Sequence, residues 1–168
     1  MTQVLNLLFK LLAVWLLSIG SLQALEVGDE VPDFAMPAIK GSPQRLSDYI
    51  GQPVMLIWLH DCDACSEDLI DWQYFAESRA DDGLKAFFIW KNDKGNKAPW
   101  SRLPVLEYDK NNKEAWWFES EPAVMLINPD GVLDYLFEGD VESHKSNILG
   151  TLKQWLKNRQ WLKLEGYK

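Results

Sequence analysis

Cys62 and Cys65 are the only cysteines of the chain, and they stand as C-x-x-C. The apolar run Val54-Met55-Leu56-Ile57-Trp58-Leu59 ends just before them, and a helical pattern opens just after. At such a strand-to-helix junction Cys62 lies near the helix N-terminus, where unpaired backbone N–H groups and the helix dipole stabilise a thiolate. Cys65 lies one turn further in, close enough to resolve a mixed disulfide, so the pair can cycle between dithiol and disulfide. The competing reading is a structural disulfide, as compartment alone would suggest for an exported protein. A loop this short is a poor staple, because the stabilisation from a cross-link grows with the loop it closes. Exchange chemistry is therefore the preferred reading. Zinc would need a second C-x-x-C or paired histidines, and the chain has only His60 and His144.

The elements that must hold the pair follow from the hydrophobic pattern. Val54–Leu59 is continuous and of strand length, as expected where both faces of a sheet are covered. From Asp63 to Arg79 the residues Leu69, Trp72, Phe75 and Ala76 recur at helical spacing, and Asp81-Asp82-Gly83 ends the helix. Leu84–Trp90 is a second buried strand, so residues 53 to 90 form a β-α-β unit, for which a right-handed crossover is expected. Ala123–Ile127, the turn Asn128-Pro129-Asp130-Gly131 and Val132–Phe137 read as a hairpin. A final helix is predicted over Glu142–Asn158, with Ile148, Leu149, Leu152, Trp155 and Leu156 on one face. Upstream, Val27 to Phe34 reads as an extended entry segment, Gly41-Ser42-Pro43 as a turn, and Leu46–Ile50 as a short helical turn stopped by Gly51. Residues 110 to 118 suggest a short helix ending in Trp116-Trp117-Phe118.

With 168 residues, 47% of them hydrophobic, the chain suits one globular domain and excludes wholesale disorder. A net charge of -8 and the lack of a basic stripe exclude a nucleic-acid backbone binder. The first residues read as a targeting segment: Lys10 is the only charge before Glu26, and the apolar run Leu11 to Ile19 leads to the small residues Gly20, Ser21 and Ala24. Residues 1–24 are accordingly expected to be a secretory signal peptide and 25–168 the mature domain, with an uncleaved N-terminal anchor as the alternative. Export to the periplasm or beyond follows from that reading.

Taken together, Val27-Gly28-Asp29 through Pro32-Asp33-Phe34, Leu46-Ser47-Asp48-Tyr49-Ile50-Gly51, the strand ending at Trp58, Cys62-x-x-Cys65, Glu121-Pro122 before a strand, and Pro129-Asp130-Gly131 resemble the thioredoxin-like superfamily. Within it the likeness is to exported thiol-disulfide oxidoreductases of the TlpA/ResA type, and it covers about Val27 to Trp155. The resemblance implies an α/β fold: a central mixed β-sheet flanked by helices, with an N-terminal strand extension. It implies that Cys62 attacks and Cys65 resolves, with no cofactor required. Pro122 matches the family's cis-proline, so Glu121 and Pro122, with Trp58, would bind the client polypeptide beside Cys62. Asp68 matches a carboxylate that assists proton transfer; the alternative is a solvated acid complementing the helix dipole, and both stay open.

The departures bear on the direction of exchange. The family usually has Trp before the first Cys and Pro between the two, whereas this chain has Asp61, then Asp63-Ala64. Asp61, Asp63 and Glu67 crowd the dithiol with like charge, which disfavours a thiolate. A reductant or isomerase is expected rather than a strong oxidant. The expected partners are exported proteins with thiols or disulfides and, for a reductant, a membrane-embedded thiol-electron transporter. The rivals are a non-catalytic binding module on the same fold, or a copper-delivery protein using His60 with the cysteines. Peroxide-reducing relatives carry P-x-x-x-T-x-x-C, and Leu59 stands at the Thr position, so that activity is not expected. Trp58, Trp72 and Trp90 fall on core faces, whereas Trp100 and one of Trp116 and Trp117 are candidates for an exposed docking patch.

Overall fold

The computed structural model describes residues 25–60, 65–91, 97–108, 123–139 and 143–159, at 60 and 65–68 by their backbone. Ten elements follow in order. They are β1 (Ala35–Met36), β2 (Ala38–Lys40), β3 (Gln44–Arg45), β4 (Val54–His60), α1 (Cys65–Ser78), β5 (Lys85–Lys91), β6 (Val105–Glu107), β7 (Ala123–Ile127), β8 (Leu133–Glu138) and α2 (Lys145–Asn158). Short 3-10 turns at Leu46–Tyr49 and Ala80–Asp82 link them.

The apolar run at 54–59 becomes the middle of a six-stranded sheet of order β2-β6-β5-β4-β7-β8. β4 pairs parallel with β5, from Val54 opposite Lys85 to His60 opposite Lys91, and α1 is the crossover between them. On its other side β4 pairs antiparallel with β7, bringing Ala123 opposite Trp58. β7 and β8 form the expected hairpin, and β6 extends the parallel part beyond β5. The sheet is therefore mixed.

Strand alternation then sorts side chains to two faces. Met55, Ile57 and Leu59 join Phe88, Trp90, Val124 and Leu126 on one face, under Leu69, Trp72 and Ala76 of α1 and Ile148, Leu152, Trp155 and Leu156 of α2. Both long helices lie on this face, tied by an ion pair of 2.9 Å from Lys145 Nζ at the start of α2 to Asp71 Oδ2 midway along α1. The opposite face, with Leu56, Trp58, Phe87, Ile89 and Met125, is covered among the described residues by Leu25, Val31, Phe34, Met36 and Leu46 of the N-terminal segment. That segment also pairs with the hairpin: Gly28 N donates to Leu133 O at 2.8 Å and Leu133 N to Asp29 O at 2.9 Å.

Three details differ from the sequence expectation. The N-terminal extension is three short strands, two of which, β1 and β3, form a separate ribbon. β2 instead crosses to β6 at the sheet edge, with Ala38 opposite Leu106. α2 opens at Lys145 rather than Glu142, with the His144 carbonyl accepting from Asn147 N and Ile148 N. Gly131 closes the hairpin turn at φ +85°, and a Cβ there would lie 3.4 Å from Ile50 Cδ1, so left-handed backbone and close approach both call for glycine.

Candidate active site

Three chain ends converge at one edge of the sheet. β4 ends at His60, two positions before Cys62; α1 begins at Cys65; and β7 begins at Ala123, immediately after Pro122. The β4–β7 register sets Ala123 beside Trp58. Among the described residues α1 begins at Cys65, and the first N–H groups of a helix have no intrahelical acceptor. Helical period also puts position 65 on the stripe of Leu69, Trp72 and Ala76, which faces the sheet.

Trp58, counted among the substrate-binding residues, is 1% exposed. It donates from Nε1 to Met125 Sδ at 3.1 Å and meets the Tyr108 ring edge-on, with centroids 5.4 Å apart. It fills the core behind the β7 start, so any effect on a bound chain passes through that packing. The large side chain there is a core demand: strand alternation puts residue 58 on the face under the N-terminal segment. Cys62, Asp61, Asp63, Glu121, Pro122, Trp116 and Trp117 lie outside the described residues, as do residues 1–24 and the side chains of His60, Cys65, Glu67 and Asp68.

Leu59 is buried against α1, as an apolar residue on that face should be. Trp90, beside it in β5, is also buried, and its Nε1 has no hydrogen-bond partner. Sequence pattern placed Trp90 in the core, but the state of its N–H depends on distant neighbours and leaves no local signal. Trp100 is 71% exposed and lies under Lys40 Nζ at 4.9 Å, a cation–π contact. With Ile70 and Tyr74 of α1, both exposed, and with Glu77 and Arg102 it borders a surface hollow of about 280 Å³. Among the described residues no cluster of three or more His, Cys, Asp or Glu side chains could hold a metal ion. No described helix is long and apolar enough to cross a membrane.

The AhpC/TSA family model matches residues 27–136, well over half of the chain. The chain belongs to the AhpC/TSA family. None of the curated proteins searched is significantly similar to it in sequence. Solved structures are similar in fold. A protein of Chlorobium tepidum described as thiol:disulfide interchange protein DsbE is 23% identical, with a TM-score of 0.63 over 77% of this chain and 99% of that one. The exposed lipoprotein thioredoxin of Streptococcus pneumoniae is 26% identical, with a TM-score of 0.59 over 73% of this chain and 99% of that one. Peroxiredoxin Q of Xanthomonas campestris is 15% identical, with a TM-score of 0.62 over 79% of this chain and 97% of that one. This AhpC/TSA member is a thioredoxin-like redoxin, an oxidoreductase of thioredoxin type, and the mixed sheet with its helices is the thioredoxin-like fold.

Proposed function

We propose that the chain exchanges thiols and disulfides with exported client proteins through Cys62 and Cys65, as a reductant or isomerase. The observation that supports this reading most is that α1 begins at Cys65 and follows the central strand in sequence, in a chain of the AhpC/TSA family. Cys62 attacks a client disulfide as a thiolate, forming a mixed disulfide and releasing one client sulfur as a thiolate. Cys65 then attacks the Cys62 sulfur, the second client sulfur leaves, and two electrons have passed from the dithiol to the client. Asp68 takes the proton from Cys65, and Glu121 with Pro122 orients the client chain.

Residues 1–24 direct export in this reading, and the described similarity to an exposed lipoprotein thioredoxin supports it. A reductant outside the cytoplasm has to be recharged, so the partner upstream is a membrane-embedded dithiol electron transporter. Peroxide reduction is a weaker reading despite the fold likeness to a peroxiredoxin, because Leu59 supplies apolar area to the core where a Thr hydroxyl would be needed.

Trapping tests the proposal. Cys65→Ser removes the resolving sulfur, so the full chain, expressed with its own leader, should accumulate covalent complexes with client proteins that dithiothreitol dissolves. The Cys62→Ser,Cys65→Ser chain should accumulate none. Equal recovery of partners with both would contradict exchange through Cys62.

A further inference from the structure

α1 carries a second stripe besides the one that faces the sheet. Ile70, Gln73, Tyr74 and Glu77 recur at i, i+3, i+4 and i+7, and all but Gln73 are exposed. Gln73 is 5% exposed because the segment before β6 is held against it. Arg102 N donates to Gln73 Oε1 at 2.6 Å, and Arg102 Nη1 pairs with Glu77 Oε2 at 3.2 Å. Helix and segment together border the hollow of about 280 Å³, which Trp100 also lines.

The chemistry of this hollow is one-sided. A backbone N–H can bond only the oxygen of a glutamine amide, so Gln73 Nε2 is the end left over. Among the described residues nothing accepts from it, although the side chain is buried and lines the hollow. A buried donor of this kind calls for a partner. Tyr74 and Trp100 add exposed rings, each ending in a further O–H or N–H donor. A fitting ligand therefore brings carbonyl oxygens and apolar surface together.

Backbone conformation narrows the choice. A helix keeps its carbonyls in its own hydrogen bonds, and an added β-strand needs a sheet edge rather than helix side chains. A polyproline II segment has no internal hydrogen bonds, so its carbonyls are all available, and its proline rings pack in aromatic-lined grooves. Charge narrows it further. Lys40 Nζ stands 4.9 Å from the Trp100 ring centroid and Arg102 supplies a second cation, of which Glu77 offsets one. The remaining positive charge complements an acid in the ligand.

We propose that the hollow between α1 and the segment before β6 binds a proline-rich polypeptide in the polyproline II conformation, with an acidic residue beside the prolines. Trp100 and Tyr74 hold the proline rings, Gln73 Nε2 donates to a ligand carbonyl, and Lys40 attracts the acid. Trp, Tyr and Arg are also the residue types that dominate binding energy at protein interfaces. The site uses neither cysteine, so it stands or falls apart from the exchange reading.

Fluorescence anisotropy of a labelled oligoproline with a glutamate at each end, titrated with the purified chain, tests the proposal. Trp100→Ala alters a side chain that is 71% exposed, so the fold should survive it, and binding should weaken at least about tenfold. Replacing the prolines of the peptide by glycines should also weaken binding about tenfold or more, because a flexible chain must be ordered as it binds. In the ¹⁵N-labelled native chain, the side-chain NH₂ resonances of Gln73 should shift as the oligoproline saturates. No anisotropy rise up to about 1 mM overturns the proposal. So does binding that Trp100→Ala leaves unchanged, equal binding of the glycine peptide, or a Gln73 amide that stays put at saturation. A chain that ignores the peptide but sediments with phosphatidylglycerol vesicles, and loses this in Trp100→Ala, overturns it in favour of a membrane surface.

Discussion

Cys62→Ser is expected to reduce the disulfide-reductase activity proposed for the chain to that of dithiothreitol alone, measured as insulin B-chain precipitation. The reason is elementary: exchange needs a thiolate, and the serine hydroxyl neither ionises near neutral pH nor forms a disulfide. In the exchange reading, a helix N-terminus beside the attacking sulfur favours its thiolate form. The sequence also sets Asp61, Asp63 and Glu67 around the pair, and in that reading their like charge opposes the helix. Cys65→Ser is expected to lose turnover as well but to keep the first attack, which is what makes trapping possible. Substantial turnover by Cys62→Ser would place the reaction elsewhere in the chain.

The second large effect is on stability. Trp155 of α2 is fully buried and donates from Nε1 to Asp134 Oδ2 at 2.7 Å. Asp134, 4% exposed in β8, accepts a second bond from Asn128 Nδ2 at 2.9 Å. Asn128 Oδ1 in turn accepts from Asp130 N at 2.9 Å and Val132 N at 3.1 Å, which shapes the hairpin turn. The turn, the edge strand and the last helix thus share one buried polar network. Trp155→Ala removes a large core side chain together with the donor to a buried carboxylate, and should cost about 3–5 kcal/mol. Trp155→Phe keeps most of the packing and should cost about 1–3 kcal/mol, the penalty of a buried polar group losing its partner. Urea unfolding of the reduced chain checks both. A loss below about 1 kcal/mol for Trp155→Ala would mean that α2 contributes little to holding the sheet.

Much of this architecture was legible because its signals are local. The unbroken apolar run at 54–59 marked the central strand, the spacing of Leu69, Trp72 and Ala76 marked α1, and Asn128-Pro129-Asp130-Gly131 marked the hairpin. The strands at Ala38–Lys40 and Val105–Glu107 left no such mark. Each has three residues, too few for a period to show, and their pairing joins Ala38 to Leu106, far apart in the sequence. Asp134 was equally hidden, since an acid in an edge strand ordinarily faces water. It is buried here because Asn128 and Trp155 supply its hydrogen bonds from either side. For the candidate site, spacing singled out Cys62 and Cys65, and among the described residues Cys65 stands at the start of α1. The core-face reading of Trp58 also follows from alternation along β4, and the side chain is buried there. The idle N–H of Trp90 arises from three-dimensional packing between β5 and α1, which no sequence window contains.

The central claim is that Cys62 and Cys65 form a reducing couple. Its most direct test is the reduction potential of the purified mature protein, equilibrated with defined thiol buffers, quenched with acid and alkylated to count free thiols. The acidic surroundings of the pair predict a value near or below about -270 mV, the potential of thioredoxin. A value near about -120 mV, that of a strong periplasmic oxidant, would contradict the account.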